Sequence, residues 1–136
     1  MNVTWHQAAA WCKWAGARLP TEGEWERAAR GPHGTKYPWG NHDIDPSRAN
    51  YEESKIGHPT PVGLYPAGAS PEGVTDLIGN VFEWASSEWR MGGGTYVWRG
   101  GCFVFDRRFA RSAFRYYYPP ASRDGILGFR LAGGIT

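Results

Sequence analysis

The run Asp76-Leu77-Ile78-Gly79-Asn80-Val81-Phe82-Glu83-Trp84 sets two carboxylates on either side of a glycine. Hard oxygen ligands are what Ca2+ prefers, and a glycine lets the backbone turn its carbonyls toward one point. The competing reading is local. Asp76 caps a turn and Glu83 pairs with an arginine, because two carboxylates alone do not reach the six or more ligands that calcium takes. Asn41, Asp43 and Asp45 make a second acidic group, which lacks the glycine and distal glutamate of an EF-hand loop and reads as solvated surface.

Other chemistry is weakly marked. His6, His33, His42 and His58 show no i, i+4 pair and no neighbouring cysteine, which argues against a transition-metal site. Cys12 and Cys102 are too few for a disulfide framework and too far apart for a zinc spacing, so both read as small buried side chains. For Cys102 to react, Arg107, Arg108 or Arg111 would have to depress its pKa. The sequence carries no Gly-x-Ser-x-Gly nucleophile elbow.

Residues 101–136 have the most unusual composition. Trp, Lys, Gln, Glu and Met occur 22 times in residues 1–100 and nowhere in residues 101–136, where the same frequency would place about eight. Those five are the amino acids that no codon ending in cytosine or thymine encodes. In their place stand Phe103, Val104, Phe105, Asp106, Phe109, Phe114 and Tyr116-Tyr117-Tyr118, mixed with six arginines. Rigid aromatic area plus arginine is the make-up of an interface hot spot. An ordinary aromatic strand core accounts for Phe129 and Phe103. It accounts poorly for three consecutive tyrosines, since neighbours on a strand point to opposite faces.

A frame must hold these residues. A chain of 136 residues has room for one domain, 1–136, with one core. A formal charge of +2 is too small to act alone on nucleic acid or a membrane surface. No apolar run approaches the roughly 18 residues of a membrane span, and residues 1–20 hold no signal-peptide core. Gly and Pro are abundant, yet 21 aromatics supply buried area that a disordered chain lacks. Thr4 with Gln7, and Thr21 with Glu24, form capping boxes for two helices, the first ended by Gly16 and the second running Glu22–Arg30. From Gly31 to Ser70 turn signals dominate, giving an ordered loop pinned by Tyr37, Trp39 and Tyr51. Val62–Leu64, Thr95–Arg99, Ala110–Tyr118 and Ile126–Ala132 are the strand candidates. The expected class is α+β.

Several motifs together resemble a known family. They are Asn2-Val3-Thr4-Trp5-His6-Gln7-Ala8, the segment Arg18-Leu19-Pro20-Thr21-Glu22-Gly23-Glu24-Trp25-Glu26-Arg27-Ala28-Ala29-Arg30-Gly31, Tyr37-Pro38-Trp39-Gly40, Gly79-Asn80-Val81-Phe82-Glu83-Trp84, Arg99-Gly100-Gly101, Arg111-Ser112-Ala113-Phe114-Arg115 and Gly128-Phe129-Arg130. In order and coverage they resemble the formylglycine-generating-enzyme and sulfatase-modifying-factor family. The resemblance implies a variant C-type lectin fold: two short helices, a small antiparallel sheet and much irregular ordered loop. It also implies a structural Ca2+ on Asp76, the carbonyls of Gly79 and Val81, and Glu83.

The family's enzymes carry two cysteines after the Gly-Gly, which bind copper, whereas this chain has only Cys102 there. A formylglycine-type copper oxidase, or its inactive paralogue, is therefore the alternative. The non-catalytic branch it resembles more is the variable protein of diversity-generating retroelements, whose randomised AAC or AAT codons cannot yield the five missing amino acids. That implies a prokaryotic or phage-encoded protein with residues 101–131 as its variable segment. Phe103, Val104, Phe105, Asp106, Phe109, Phe114, Tyr116, Tyr117, Tyr118, Ser122, Asp124 and Ile126 would then display a surface for a protein ligand. A carbohydrate lectin would need a calcium with open positions beside the aromatics, and nucleic acid would need more net positive charge. Neither ligand identity nor oligomeric state is written in the sequence.

Overall fold

The computed structural model describes residues 2–133. Helix α1 spans Trp5–Trp14 and α2 spans Glu22–Arg30. Both begin as the capping boxes require: Thr4 Oγ1 accepts from Gln7 N–H and Thr21 Oγ1 from Glu24 N–H, each at 3.1 Å, while both side chains return a bond to the cap. Inward faces follow from helical spacing, with Ala8 and Cys12 buried on α1 and Trp25 and Ala29 on α2.

The ordered loop expected over Gly31–Ser70 extends to residue 81, broken by short 3-10 turns at Glu52–Ser54 and Pro66–Gly68. Its order is tertiary. Tyr37, Ile44, Ala49, Tyr51, Leu77 and Ile78 join Trp25 and Ala29 in one buried cluster, and Trp39 stacks on Tyr37 with centroids 4.9 Å apart. Val62–Leu64 is not a strand. Val62 and Leu64 are exposed about Gly63, which sits at φ 85, so the segment turns in solvent without a pairing partner.

Four strands make one sheet: β1 Phe82–Glu88, β2 Tyr96–Arg99, β3 Arg115–Tyr118 and β4 Leu127–Gly128, in the order β3-β2-β1-β4. The β1–β2 and β2–β3 pairs are antiparallel, but β4 lies parallel to β1, so the sheet is mixed where a wholly antiparallel one was expected. Two predicted strands are shorter than expected. Ala110–Tyr118 keeps only its last four residues, because Ser112 is buried with its N–H on Lys36 O and its Oγ on Ala29 O. Ile126–Ala132 keeps two, with Ala132 bridged instead to Arg18. A second cluster, containing Ala8, Cys12, Leu19, Phe82, Trp84, Trp98, Cys102 and Leu127, packs α1 against the sheet.

The α2 capping residue Glu24 also meets Arg18 in a bidentate pair at 2.6 Å. That pairing, with the Thr21 N–H, holds its carboxyl at about 2 against an ordinary 4.5. A depressed folded-state pKa stabilises above the unfolded value and is lost as pH falls through the folded one. Glu24 is 43% exposed, so after solvent screening the contribution is of the order of 0.5–1 kcal/mol. Glu24→Gln should lower stability by that amount at neutral pH in denaturant melts, and the gap should narrow steadily from pH 4.5 toward pH 2.

Candidate functional site

The chain leaves β2 toward residues 101–131 through Gly100 and Gly101, at φ 104 and 75. A Cβ on Gly100 would stand 2.8 Å from Leu77 O, and one on Gly101 would stand 2.8 Å from Phe109 O, so only glycine lets the chain fold over itself here. Beyond the turn, Phe103 N–H donates to Asn80 O, and Asp106 caps a 3-10 turn at Arg107–Phe109. Arg107 bonds Glu53 through Nε and Nη2 at 3.0 and 2.8 Å and Asp43 at 2.9 Å, tying the segment to the long loop. It then reaches β3, an edge strand whose four residues are all exposed.

Aromatic rings run from the core to that edge. Phe82 touches Phe105 at 5.3 Å between centroids, and Phe105 touches Phe109 at 5.0 Å. Phe109 meets Phe114 at 5.1 Å, and Phe114 meets Tyr116 at 6.4 Å. Strand alternation splits the tyrosines as expected: Tyr118 stacks on Trp98 at 4.2 Å, while Tyr117 and the Arg115 guanidinium lie on Trp89. All three tyrosines stay exposed, at 45%, 45% and 38% in chain order.

The predicted surface residues thus divide. Phe105, Phe109, Phe114, Tyr116, Tyr117 and Tyr118 come together, although Phe105 and Phe114 also pack against the inner cluster and are only partly displayed. Val104 is exposed and Phe103 half-buried at the turn below them. Asp106 is occupied by its cap and by Arg108. Ser122 and Asp124 belong to the turns before β4, where Ser122 N–H bonds Pro119 O and Asp124 accepts from Ile126 N–H. Ile126 packs inward, and Leu127 is wholly buried. Trp98 against Tyr118 and Trp89 against Tyr117 support the edge strand yet were not singled out from the sequence, because only the fold brings them to it. Arg30, Lys36 and Asn41 were missed for the same reason: they line a cleft beside Arg111 and Phe114 but come from distant segments.

Cys12 and Cys102 are free and buried. Burial pushes both thiols above their ordinary pKa, and the arginines that follow Cys102 do not reverse it.

Glu83, one of the four residues expected around calcium, is paired with a different cation. Buried Glu83 accepts from Trp25 Nε1 at 3.0 Å and Arg130 Nε at 2.6 Å on one oxygen, and from Arg130 Nη2 at 2.8 Å on the other. The same Nη2 donates to the main-chain oxygens of Thr75 and Asp76, at 3.1 and 2.9 Å. Asp76 turns its carboxylate to Gly63 N–H at 2.7 Å. Burial opposes the charge on Arg130, but Glu83 overcomes it and raises its pKa. A Ca2+ held by Asp76, Gly79, Val81 and Glu83 would have to displace the Arg130 guanidinium, which engages both Glu83 oxygens. The local alternative, Glu83 paired with an arginine, is the arrangement present.

The sulfatase-modifying factor enzyme 1-like domain family matches residues 1–135, and the chain belongs to that family. Among curated relatives, hercynine oxygenase of Mycobacterium tuberculosis is 36% identical over 155 residues, 98% of this chain and 36% of that protein. Inactive C-alpha-formylglycine-generating enzyme 2 of Bos taurus is 37% identical over 150 residues, 98% of this chain and 50% of that protein. The chain therefore spans between a third and a half of the length of these relatives. Among solved structures, Treponema denticola variable protein 1 matches with a TM-score of 0.76 and 29% identity, over 84% of this chain and 46% of that one. PvdO from Pseudomonas aeruginosa, at 24% identity and a TM-score of 0.81, shares the fold. No described helix is long and apolar enough to cross a membrane.

If Arg130 is the resident cation, the melting temperature should be the same in calcium chloride and in a chelator. Arg130→Met should cost about 3 kcal/mol by leaving Glu83 buried and unpaired. A melting temperature that climbs with calcium in the unaltered protein would show that the metal displaces the guanidinium.

Proposed function

We propose that this chain is a non-catalytic, protein-binding domain of the retroelement variable-protein kind, displaying diversified side chains on a constant frame. One observation carries the reading: the run of three tyrosines on the edge strand β3 is exposed on a segment that is itself anchored by buried positions. Val104, Tyr116, Tyr117 and Tyr118 face solvent, while Ala110, Ser112 and Leu127 are buried. Exposed positions of this sort tolerate exchange at a cost usually under about 0.5 kcal/mol. The similarity to Treponema denticola variable protein 1 and to the inactive formylglycine-generating paralogue supports it.

The family also contains enzymes, as the hercynine oxygenases show. The oxidase alternative, a copper site of the formylglycine type, asks for a second thiol after Cys102, and the sequence has none. Its remaining thiol is buried and raised in pKa.

The gene supplies the test. Under this reading the codons for residues 101–131 have a nearby copy that differs only at adenines, beside a reverse transcriptase gene. A solitary coding region would overturn the diversification. In the protein, replacing Tyr116 and Tyr117 with serine should leave the fold intact and the melting temperature within about 5 °C. Tyr118→Ser should cost more, up to about 1 kcal/mol beyond the others, because it removes the stack on Trp98.

A further inference from the structure

We propose that the cleft between α2 and β3 takes a carboxylate group of the ligand, so that the partner is an acidic polypeptide segment; this deepens the ligand-binding reading above and rests on it. The cleft holds about 560 Å3 and is lined by Arg30, Lys36, Asn41, Arg111, Phe114 and Arg115 together with small residues, and no carboxylate lines it.

Charge pairing sets it apart from the rest of the segment. Arg107 is matched by Glu53 and Asp43, Arg108 by Asp106, and Arg115 by Glu22. Among the described residues, Arg30, Lys36 and Arg111 have no ion-pair partner. Arg30 gives one bond to Gly34 O, and its buried Nε has no hydrogen-bond partner. The Lys36 ammonium lies over the Tyr37 ring at 5.5 Å. Three uncompensated cations around one concavity, in a chain of net charge +2, make a site for an anionic group.

The neighbourhood selects among anions. Phe114 forms one wall and belongs to the aromatic run that ends at Tyr116, so a ligand entering the cleft also meets apolar rings. A carboxylate flanked by apolar side chains satisfies both. A nucleic-acid backbone needs a basic track along several phosphates, whereas here the adjoining concavity, lined by Lys36, Arg107, Arg108 and Arg111, also contains Asp43.

The test titrates the protein with a short Glu/Leu peptide, its Gln/Leu counterpart and an oligothymidine of equal charge, following tryptophan fluorescence. The Glu/Leu peptide should bind at least tenfold more tightly than either control. The double variant Lys36→Gln, Arg111→Gln should lose at least tenfold of that affinity with an unchanged melting temperature, since neither side chain is in an ion pair. Equal binding of the two peptides, no binding, or full affinity in the double variant would overturn the proposal, and preference for oligothymidine would replace it with nucleic acid. An adenine-substituted gene copy found alongside any of those failures leaves the diversified surface standing and removes only the acidic partner.

Discussion

The structure depends on two buried charges that meet at one tryptophan. Glu83 on β1 and Arg99 on β2 are register partners across the sheet, and Trp25 of α2 contacts both. Its Nε1 donates to Glu83, and its ring lies 5.0 Å below the Arg99 guanidinium. Arg99, 1% exposed, donates to Glu22 and Glu26 at 2.8 Å each and to Ser112 O at 2.6 Å. Burying these charges costs several kcal/mol each, which only near-complete pairing offsets. Every element that contributes a partner is therefore constrained in place.

The edge strand β3 and its exposed tyrosines inherit that constraint. Ser112 O anchors the chain between the aromatic turn and β3, and Glu22 reaches past Arg99 to Arg115 on the edge strand. The exposed rings thus stand on a frame whose rigidity comes from beneath. Tyr116, Tyr117 and Tyr118 make none of the network's hydrogen bonds, whereas Arg115 beside them joins it through Glu22.

The same network is built from residues of the motifs that carry the family resemblance: Glu22, Trp25 and Glu26 on α2, Glu83 on β1, Arg99 before the glycine pair, and Arg130 near the C-terminus. Enzymes and inactive paralogues both match this chain over nearly its whole length. Such a frame carries different chemistries according to what the loops above it hold. Here they hold aromatic rings and arginines.

Local signals determined much of this protein from sequence alone. The two capping boxes set the helix starts because a cap needs only residues three apart, and the gap in amino-acid usage set residues 101–136 apart without any structure. Tertiary structure decided the rest. The parallel partner of β1, the stacking of Tyr118 on Trp98, and the cleft of Arg30, Lys36 and Arg111 join residues far apart in the chain. Glu83 is the sharpest case: spacing alone allowed either a metal or an arginine as its cation, and the fold brings Arg130 to it. Sequence records which groups are available. Which of them meet depends on packing free energy summed over the whole core, and no short window of residues contains that sum.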